Sequence, residues 1–190
     1  MAHYKKLVGE LCYLSPVAAE DGELWAEWLN DLEVALPLGD EAYAMIPGEA
    51  ARSWAVAAAG GQDPVFTIVE RASERAVGRC LLFGVNQTDR TAMCGLFIGE
   101  KSLWGKGLGS EALGLLLDYA FNLLNLHSVM LGVYSFNRRA IASYRKLGFR
   151  EIGVRRQARI IAGQAYDVIL MDLLAEEFTS PVIKKLMAGA

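Results

Sequence analysis

Histidine, cysteine and proline are scarce in this 190-residue chain, at two, three and five. The two histidines, His3 and His127, cannot form a metal site on their own. The cysteines, Cys12, Cys80 and Cys94, fall in separate apolar, strand-like runs with no ligand spacing among them, so no metal is expected. An odd, scattered set of thiols reads as reduced core residues and points to the cytoplasm. A basic excess is missing as well. Nineteen Lys and Arg stand against 22 Asp and Glu, a formal net charge of −3, which leaves no electrostatic footprint for a nucleic-acid partner. The mildly acidic balance fits a cationic substrate. Long hydrophobic runs are missing too: the stretch ALGLLLDYAFNLL is too short to span a bilayer and carries Asp118. The N-terminal MAHYKKLVGELCYL is interrupted by Glu10 and does not read as a signal peptide, so no membrane partner is expected. No repeat, low-complexity segment or Pro/Gly/Ser linker divides the chain. With 53% hydrophobic and 22% charged residues, one domain over residues 1–190 is expected, its core at about 7–178.

What is present is a strand-and-helix pattern. LVGELCYLSPV reads as a strand, and AEDGELWAEWLNDL places Leu24, Trp25, Trp28 and Leu29 on one helical stripe. Glu33 to Pro47 reads as irregular, and Gly48 leads into a short helix, EAARSWAVAAA. PVFTIVER, AVGRCLLFGVN and TAMCGLFIGE are joined by the short polar links ASER and QTDR, as antiparallel neighbours require. A helix from about Ser110 to Asn125 is apolar nearly all round. The strand SVMLGVYS, the helix RRAIASYRKLG stopping at Gly148, and a hairpin of REIGVRRQARII and AYDVILMDLLA complete the chain. The class is α/β (α+β), a mixed, mostly antiparallel sheet with helices on its faces.

Gly99 to Phe121, GEKSLWGKGLGSEALGLLLDYAF, carries the first chemical signal. It fits neither a Walker loop nor a dinucleotide fingerprint, since Gly107 follows Lys106 and Ser110 stands where a third glycine would be needed. Glycines at 105, 107 and 109 before a helix still make anion-binding geometry, to which Lys106 can add a charge. The plainer alternative is a tight turn that lets the helix pack closely on its strand. The second signal is YSFNRRAIASYRKLGF, in which Asn137 and Tyr144 lie two turns apart on one helix face.

Together the two stretches resemble the GNAT superfamily of acetyltransferases. Its loop reads Gln/Arg-x-x-Gly-x-Gly/Ala, and its later helix carries Asn-x-x-Ala-x-x-x-Tyr before Gly-Phe. This chain has Trp104-Gly105-Lys106-Gly107-Leu108-Gly109, then Asn137, Ala140, Tyr144 and Gly148-Phe149. Trp104 departs from the pattern, where Gln or Arg is usual. With WGKGLGSEAL and GQAYDVILMDLLAEEF, that departure is similar to the branch containing ribosomal-protein N-terminal acetyltransferases and their small-amine relatives.

The resemblance implies a sheet of about seven strands with a V-shaped splay between the central ones, and acetyl-CoA as co-substrate. Amides from Trp104 through Gly105, Lys106, Gly107, Leu108 and Gly109 to Ser110 would cradle the pyrophosphate. Main-chain groups of Phe97, Ile98 and Gly99, with a bulge near Gly99, would pair with the pantetheine arm. Asn137 would bond the arm from the far side, or cap its helix, or both. Arg139, with Arg138, Arg145 and Lys146, would meet the 3′-phosphate or form a solvated basic face. Tyr144 would protonate the departing thiolate, a phenol of pKa near 10 serving a thiol of about 8.5; its alternative is a packing role. Glu100 is either the base for the attacking amine or a solvent-facing loop residue. Cys94 has no base partner near it in sequence and reads as a poor nucleophile, so direct transfer is expected.

The acceptor would be a primary amine, a protein N-terminal α-amine or alternatively a polyamine or antibiotic-like amine. A regulatory module that only binds coenzyme A is the competing class. Specificity is expected from Leu32 to Pro47, with Glu33, Asp40, Glu41 and Tyr43, and from the terminal hairpin, with Arg155, Arg156, Arg159 and Tyr166. That hairpin would also pair two copies into a homodimer.

Overall fold

The computed structural model describes residues 3–189. Two short strands, β1 (Leu7–Val8) and β2 (Cys12–Pro16), precede α1 (Asp21–Leu29), α2 (Leu32–Ala35) and α3 (Gly48–Gly60). A meander of β3 (Val65–Glu70), β4 (Arg75–Asn86) and β5 (Thr91–Ile98) leads to α4 (Leu108–Asn122) and then β6 (Ser128–Tyr134). The chain closes with α5 (Arg138–Lys146), the hairpin β7 (Arg150–Ile161) and β8 (Gln164–Leu174), and α6 (Ile183–Ala188). All eight strands form one sheet in the order β1-β2-β3-β4-β5-β6-β8-β7. Only β5 and β6 run parallel. Among the described residues no helix is long and apolar enough to cross a membrane.

Eight strands replace the expected seven because LVGELCYLSPV breaks at Gly9–Leu11. The carboxylate of Glu111, on α4, accepts from the amides of Glu10 and Leu11 and pins that turn. The segment read as irregular holds α2 and a 3-10 turn at Asp40–Tyr43. The glycine-loop helix begins at Leu108 rather than Ser110, since Gly107 caps it with φ of 87°, a left-handed conformation that glycine adopts at little cost. It ends at Asn122 rather than Asn125, where the amides of Leu123 and Leu124 both turn back to the Tyr119 carbonyl.

Helices cover both faces of the sheet. On one, α4 buries Leu113, Leu115, Leu116 and Leu117 against Leu14, Ile68, Leu82 and Leu131. Asp118 is fully buried on the same helix. It accepts from Ser180 Oγ at 2.6 Å and from the Val182 and Ile183 amides at 2.9 Å, fixing α6 to the core. On the other face α1 and α3 enclose Trp25, Trp28, Leu29 and Phe97. The three cysteines are free and buried. Burial pushes the Cys94 thiol up to about 12, so at neutral pH it is protonated and not a nucleophile.

Candidate active site

The site begins where β5 and β6 part. They pair only at Thr91–Ser128, Ala92–Val129 and Met93–Met130, and beyond Met93 they diverge. Twist and the lost pairing open a V between them beyond Met93; near Gly99, where the sequence suggested a bulge, the amides of Gly99 and Glu100 both donate to the Val77 carbonyl, at 2.9 and 3.3 Å, two residues against one. The V widens into a cleft of about 390 Å³ lined by Leu96, Phe97 and Ile98 on one wall and Gly132 and Val133 on the other. On the outer side β5 pairs with β4 in the register Arg79–Phe97 and Gly78–Ile98, and the Gly99 amide donates to the Val77 carbonyl at 2.9 Å. Antiparallel bonding alternates, so Phe97 and Gly99 spend their main-chain groups on β4, whereas Leu96 and Ile98 turn theirs toward the V, the Ile98 carbonyl there accepting from the Trp104 indole. Of the three residues expected to pair with an extended arm, only Ile98 faces it, and Leu96 joins it.

At the wide end stands the glycine turn. Gly105 has φ of 77° and Gly107 of 87°, values that strain any residue bearing a Cβ. The first helical bond of α4 runs from the Glu111 amide to the Gly107 carbonyl. The amides of Leu108, Gly109 and Ser110 are therefore first-turn donors with no intrahelical acceptor, at the positive end of the helix dipole. Gly109 differs: a Cβ there would meet Ile98 and Leu96 at 3.5 and 3.7 Å, an ordinary contact that a methyl can make. Trp104 Nε1 donates to the Ile98 carbonyl at 2.7 Å, and the Arg139 guanidinium lies over its indole at 4.1 Å. This indole ties loop to strand and meets α5 across the mouth.

The far wall is α5. Asn137 Oδ1 accepts from the Ala140 amide at 3.2 Å, capping the helix, while its amide nitrogen is left for the cleft it lines. Two turns on, Tyr144 lines the same cleft. Burial raises its phenol above the ordinary value of 10.0, with Cys94 adding to the effect, and no protein hydrogen bond contributes. The hydroxyl therefore stays protonated, and no protein group holds its proton. Ser110 and Ser143 hydroxyls, 2.8 Å apart, hold α4 and α5 together beneath it.

A strand edge lacking its partner, a ring of free amides and a protonated phenol now share one cleft. Residues 12–150 match a family model described as an acetyltransferase (GNAT) domain. The chain belongs to the GNAT acetyltransferase family. It is 31% identical over 118 residues to an uncharacterized N-acetyltransferase of Bacillus licheniformis, covering 62% of this chain and 66% of that one. It is 35% identical over 111 residues to the spermidine N(1)-acetyltransferase of Escherichia coli K12, covering 58% and 59%. The matched part thus spans less than two thirds of these relatives' own length. Among solved structures, a GNAT-family acetyltransferase of Bacillus anthracis superposes with a TM-score of 0.77 at 19% identity, covering 90% of this chain and 99% of that one. Spermidine N-acetyltransferase of Vibrio cholerae in complex with CoA and spermine gives 0.79 at 23%, covering 89% and 98%. At those identities the two structures show a shared GNAT fold.

Other residues singled out from the sequence lie around this GNAT cleft rather than in it. Glu100 borders a separate shallow depression with Val77 and Ser102, and its carboxylate accepts from Ser102 Oγ at 3.0 Å. The structure does not bring it to Tyr144. Lys106 is exposed and does not line the cleft; Arg139 and Lys146 supply its cationic groups. Arg145 is held by Glu151. Glu33, with Asp31, is ion-paired to Lys101, which lashes the start of α2 to the turn after β5. Sequence reasoning missed Leu96 and Ser143; Lys146 was among the expected basic residues, and the wall of Val34, Pro37 and Leu38 falls in the Leu32 to Pro47 segment expected to set specificity. The pairing of Ser110 with Ser143 had no sequence signal, whereas Leu96 was available from the strand's period of two.

Proposed function

We propose that this chain is an N-acetyltransferase that moves the acetyl group of acetyl-CoA directly to a primary amine. The observation that carries the reading is the single cleft in which the Leu96 and Ile98 strand edge, the α4 amides and the Tyr144 phenol converge. The groups fit the co-substrate. The strand edge can pair with an amide-bearing arm, the first-turn amides with Arg139 and Lys146 can hold phosphates, and Asn137 can donate from the opposite wall. Acetyl-CoA supplies an activated acyl group and a thiol leaving group. Strand and turn orient the thioester, and the helices over the V limit water. As the amine nitrogen forms its bond to the carbonyl carbon and the carbon–sulfur bond breaks, the Tyr144 hydroxyl delivers its proton to the sulfur. Solvent then restores that proton, and the amine's surplus proton leaves to solvent.

The preferred acceptor is an α-amine such as a protein N-terminus. No carboxylate or imidazole is among the residues that line the cleft, so the amine arrives neutral without a resident base. An α-amine, with a pKa of about 8, meets that demand far better than a lysine-type or polyamine nitrogen of about 10.4. The polyamine alternative, implied by the resemblance, is supported by the spermidine acetyltransferases among the relatives. The protonated Tyr144 hydroxyl inside the cleft supports turnover over a purely regulatory role, since binding alone has no use for an acid at the sulfur. The three reduced, buried thiols support a cytoplasmic setting, and exposed Ile152, Val154 and Ile160 on β7 support pairing of two copies through the hairpin.

Thiol release from acetyl-CoA, followed with a panel of N-terminal peptides, polyamines and other small amines, tests the proposal. Peptide-dependent release is expected. Failure of every amine to raise release above water hydrolysis would sink the transferase reading.

A further inference from the structure

Two arginines without an ion-pair partner among the described residues lie beside the cleft, Arg159 buried and Arg79 partly buried. Arg159, on β7, is 5% exposed, and its Nη1 donates to the Gly39 carbonyl at 2.6 Å and the Tyr134 hydroxyl at 2.9 Å. Its guanidinium lies over the rings of Tyr43 and Tyr134, at 4.4 and 4.8 Å. Its Nε and Nη2 are buried and find no acceptor among the described residues. Arg79, on β4, lies over Trp25 at 4.6 Å and Phe97 at 5.3 Å, and its Nε is likewise buried without an acceptor. Burial lowers the Arg79 pKa, and the attraction of Glu41 opposes that shift without an ion pair. Neither arginine is ion-paired among the described residues.

Their place in the fold relates them to one another and to the cleft. Leu38 and Val133 line the cleft, and their chain neighbours Gly39 and Tyr134 hold Arg159. Phe97, under Arg79, lines it too. The 3-10 turn at Asp40–Tyr43 serves both: Tyr43 covers Arg159, and Glu41 faces Arg79. A buried cation without an acceptor is unfavourable, and arginines are rarely left so. The free groups of Arg159 are informative in kind. Nε–H and Nη2–H form the side of the guanidinium whose two parallel donors match the two oxygens of a carboxylate. A polycation meets the two guanidinium charges here, offset in part by Glu41.

From this we propose that the acceptor carries an oxyanion, a carboxylate beside its reactive amine, and that Arg159 and Arg79 recognise it. The inference rests on the acetyl-transfer reading for the identity of the cleft. The carboxylate takes the Nε–Nη2 side of Arg159 as the Asp40–Tyr43 turn shifts; Tyr43, 64% exposed, is the part of the cover free to move. Arg79 contributes attraction from the strand side. The same chemistry is offered by a free amino acid and by a peptide N-terminus with an acidic side chain.

Calorimetry on the full chain saturated with coenzyme A tests this without requiring turnover. One arm titrates alanine against alaninamide. The other titrates C-terminally amidated peptides with Asp or Asn at the second position, and spermidine serves as the cationic control. The carboxylate member of at least one pair is expected to bind about 10- to 100-fold tighter, the range for a hydrogen bond to a charged group. Preference in the first arm identifies a free amino acid, and in the second a peptide. Arg159→Gln and Arg79→Gln, checked for folding by thermal melting, should each shrink the preference, and Arg159→Lys should keep part of it. Equal affinity within both pairs, tighter binding of spermidine than of every carboxylate, or a preference untouched in folded variants would overturn the proposal. Carboxylate preference without thiol release from acetyl-CoA would sink the transferase reading and leave this one standing. Thiol release with spermidine and no carboxylate preference would do the reverse.

Discussion

Tyr144 is the residue whose environment speaks most directly to chemistry. Its ring packs beside Phe149 with centroids 5.9 Å apart, and its hydroxyl is not engaged by a protein hydrogen bond. Replacement by Phe therefore keeps the packing and removes only the proton donor. Tyr144→Phe is expected to leave acetyl-CoA affinity and melting temperature nearly unchanged while kcat falls about 100-fold, or about 2.7 kcal/mol of barrier. Full turnover in the Phe variant would show that water protonates the thiolate. The sign of the pH dependence follows from two titrations. The amine must be neutral, so kcat/KM rises with pH through about 8 for an α-amine. The acid must be protonated, and its pKa lies above 10.0, so no decline is expected below pH 10. A rate falling between pH 8 and 9 on a stable enzyme would point to another acid.

Among the elements, α4 and its glycine turn show how three similar residues divide their work. Gly105 and Gly107 are required by backbone conformation, with φ of 77° and 87°, whereas Gly109 has ordinary helical geometry and room for a methyl against Ile98 and Leu96. Gly107→Ala should cost about 1–2 kcal/mol of left-handed strain, relieved by turning the first amides of α4 away from the ligand. Calorimetry with acetyl-CoA is expected to show a clear loss of affinity for Gly107→Ala and little change for Gly109→Ala. The reverse ranking would move the anion site off the α4 N-terminus. The tight-turn reading of the loop fits Gly105 and Gly107, whereas packing on the strand does not require a glycine at 109. The signal of alternating glycines was plain in the chain. Which one touches a ligand depends on where each Cβ would point, and that is set by how α4 lies on β5.

On the scale of the whole molecule, β7 is the long open edge of the eight-stranded sheet, the two-residue β1 forming the other. Its pairing with β8 breaks between Arg155 and Arg159, where Gln157 has φ of 50°, and it exposes Ile152, Val154 and Ile160. Such an apolar edge favours association of two copies. Sedimentation is expected to show a dimer at micromolar concentration that Val154→Lys weakens; a monomer at high micromolar concentration would dispose of the pairing. The meander, the helix stripes, the loop and the Asn137–Tyr144 face were legible from the sequence, because hydrophobic period, turn chemistry and two-turn spacing are local properties of the chain. The break at Gly9–Leu11 was not, since the carboxylate that pins it belongs to Glu111 on α4. Nor was the true position of the V. Three residues of parallel pairing followed by divergence accord with sheet twist, a property of the whole sheet that leaves no local pattern in the chain. Glu100 sits at the expected strand end, yet chain direction after β5 turns its carboxylate to Ser102 and away from the cleft. Arg159 was visible as a charge in a variable hairpin. Only folding buries it against Gly39, 120 residues earlier, because contacts between segments so far apart follow the packing of the sheet and leave no periodic trace in the sequence.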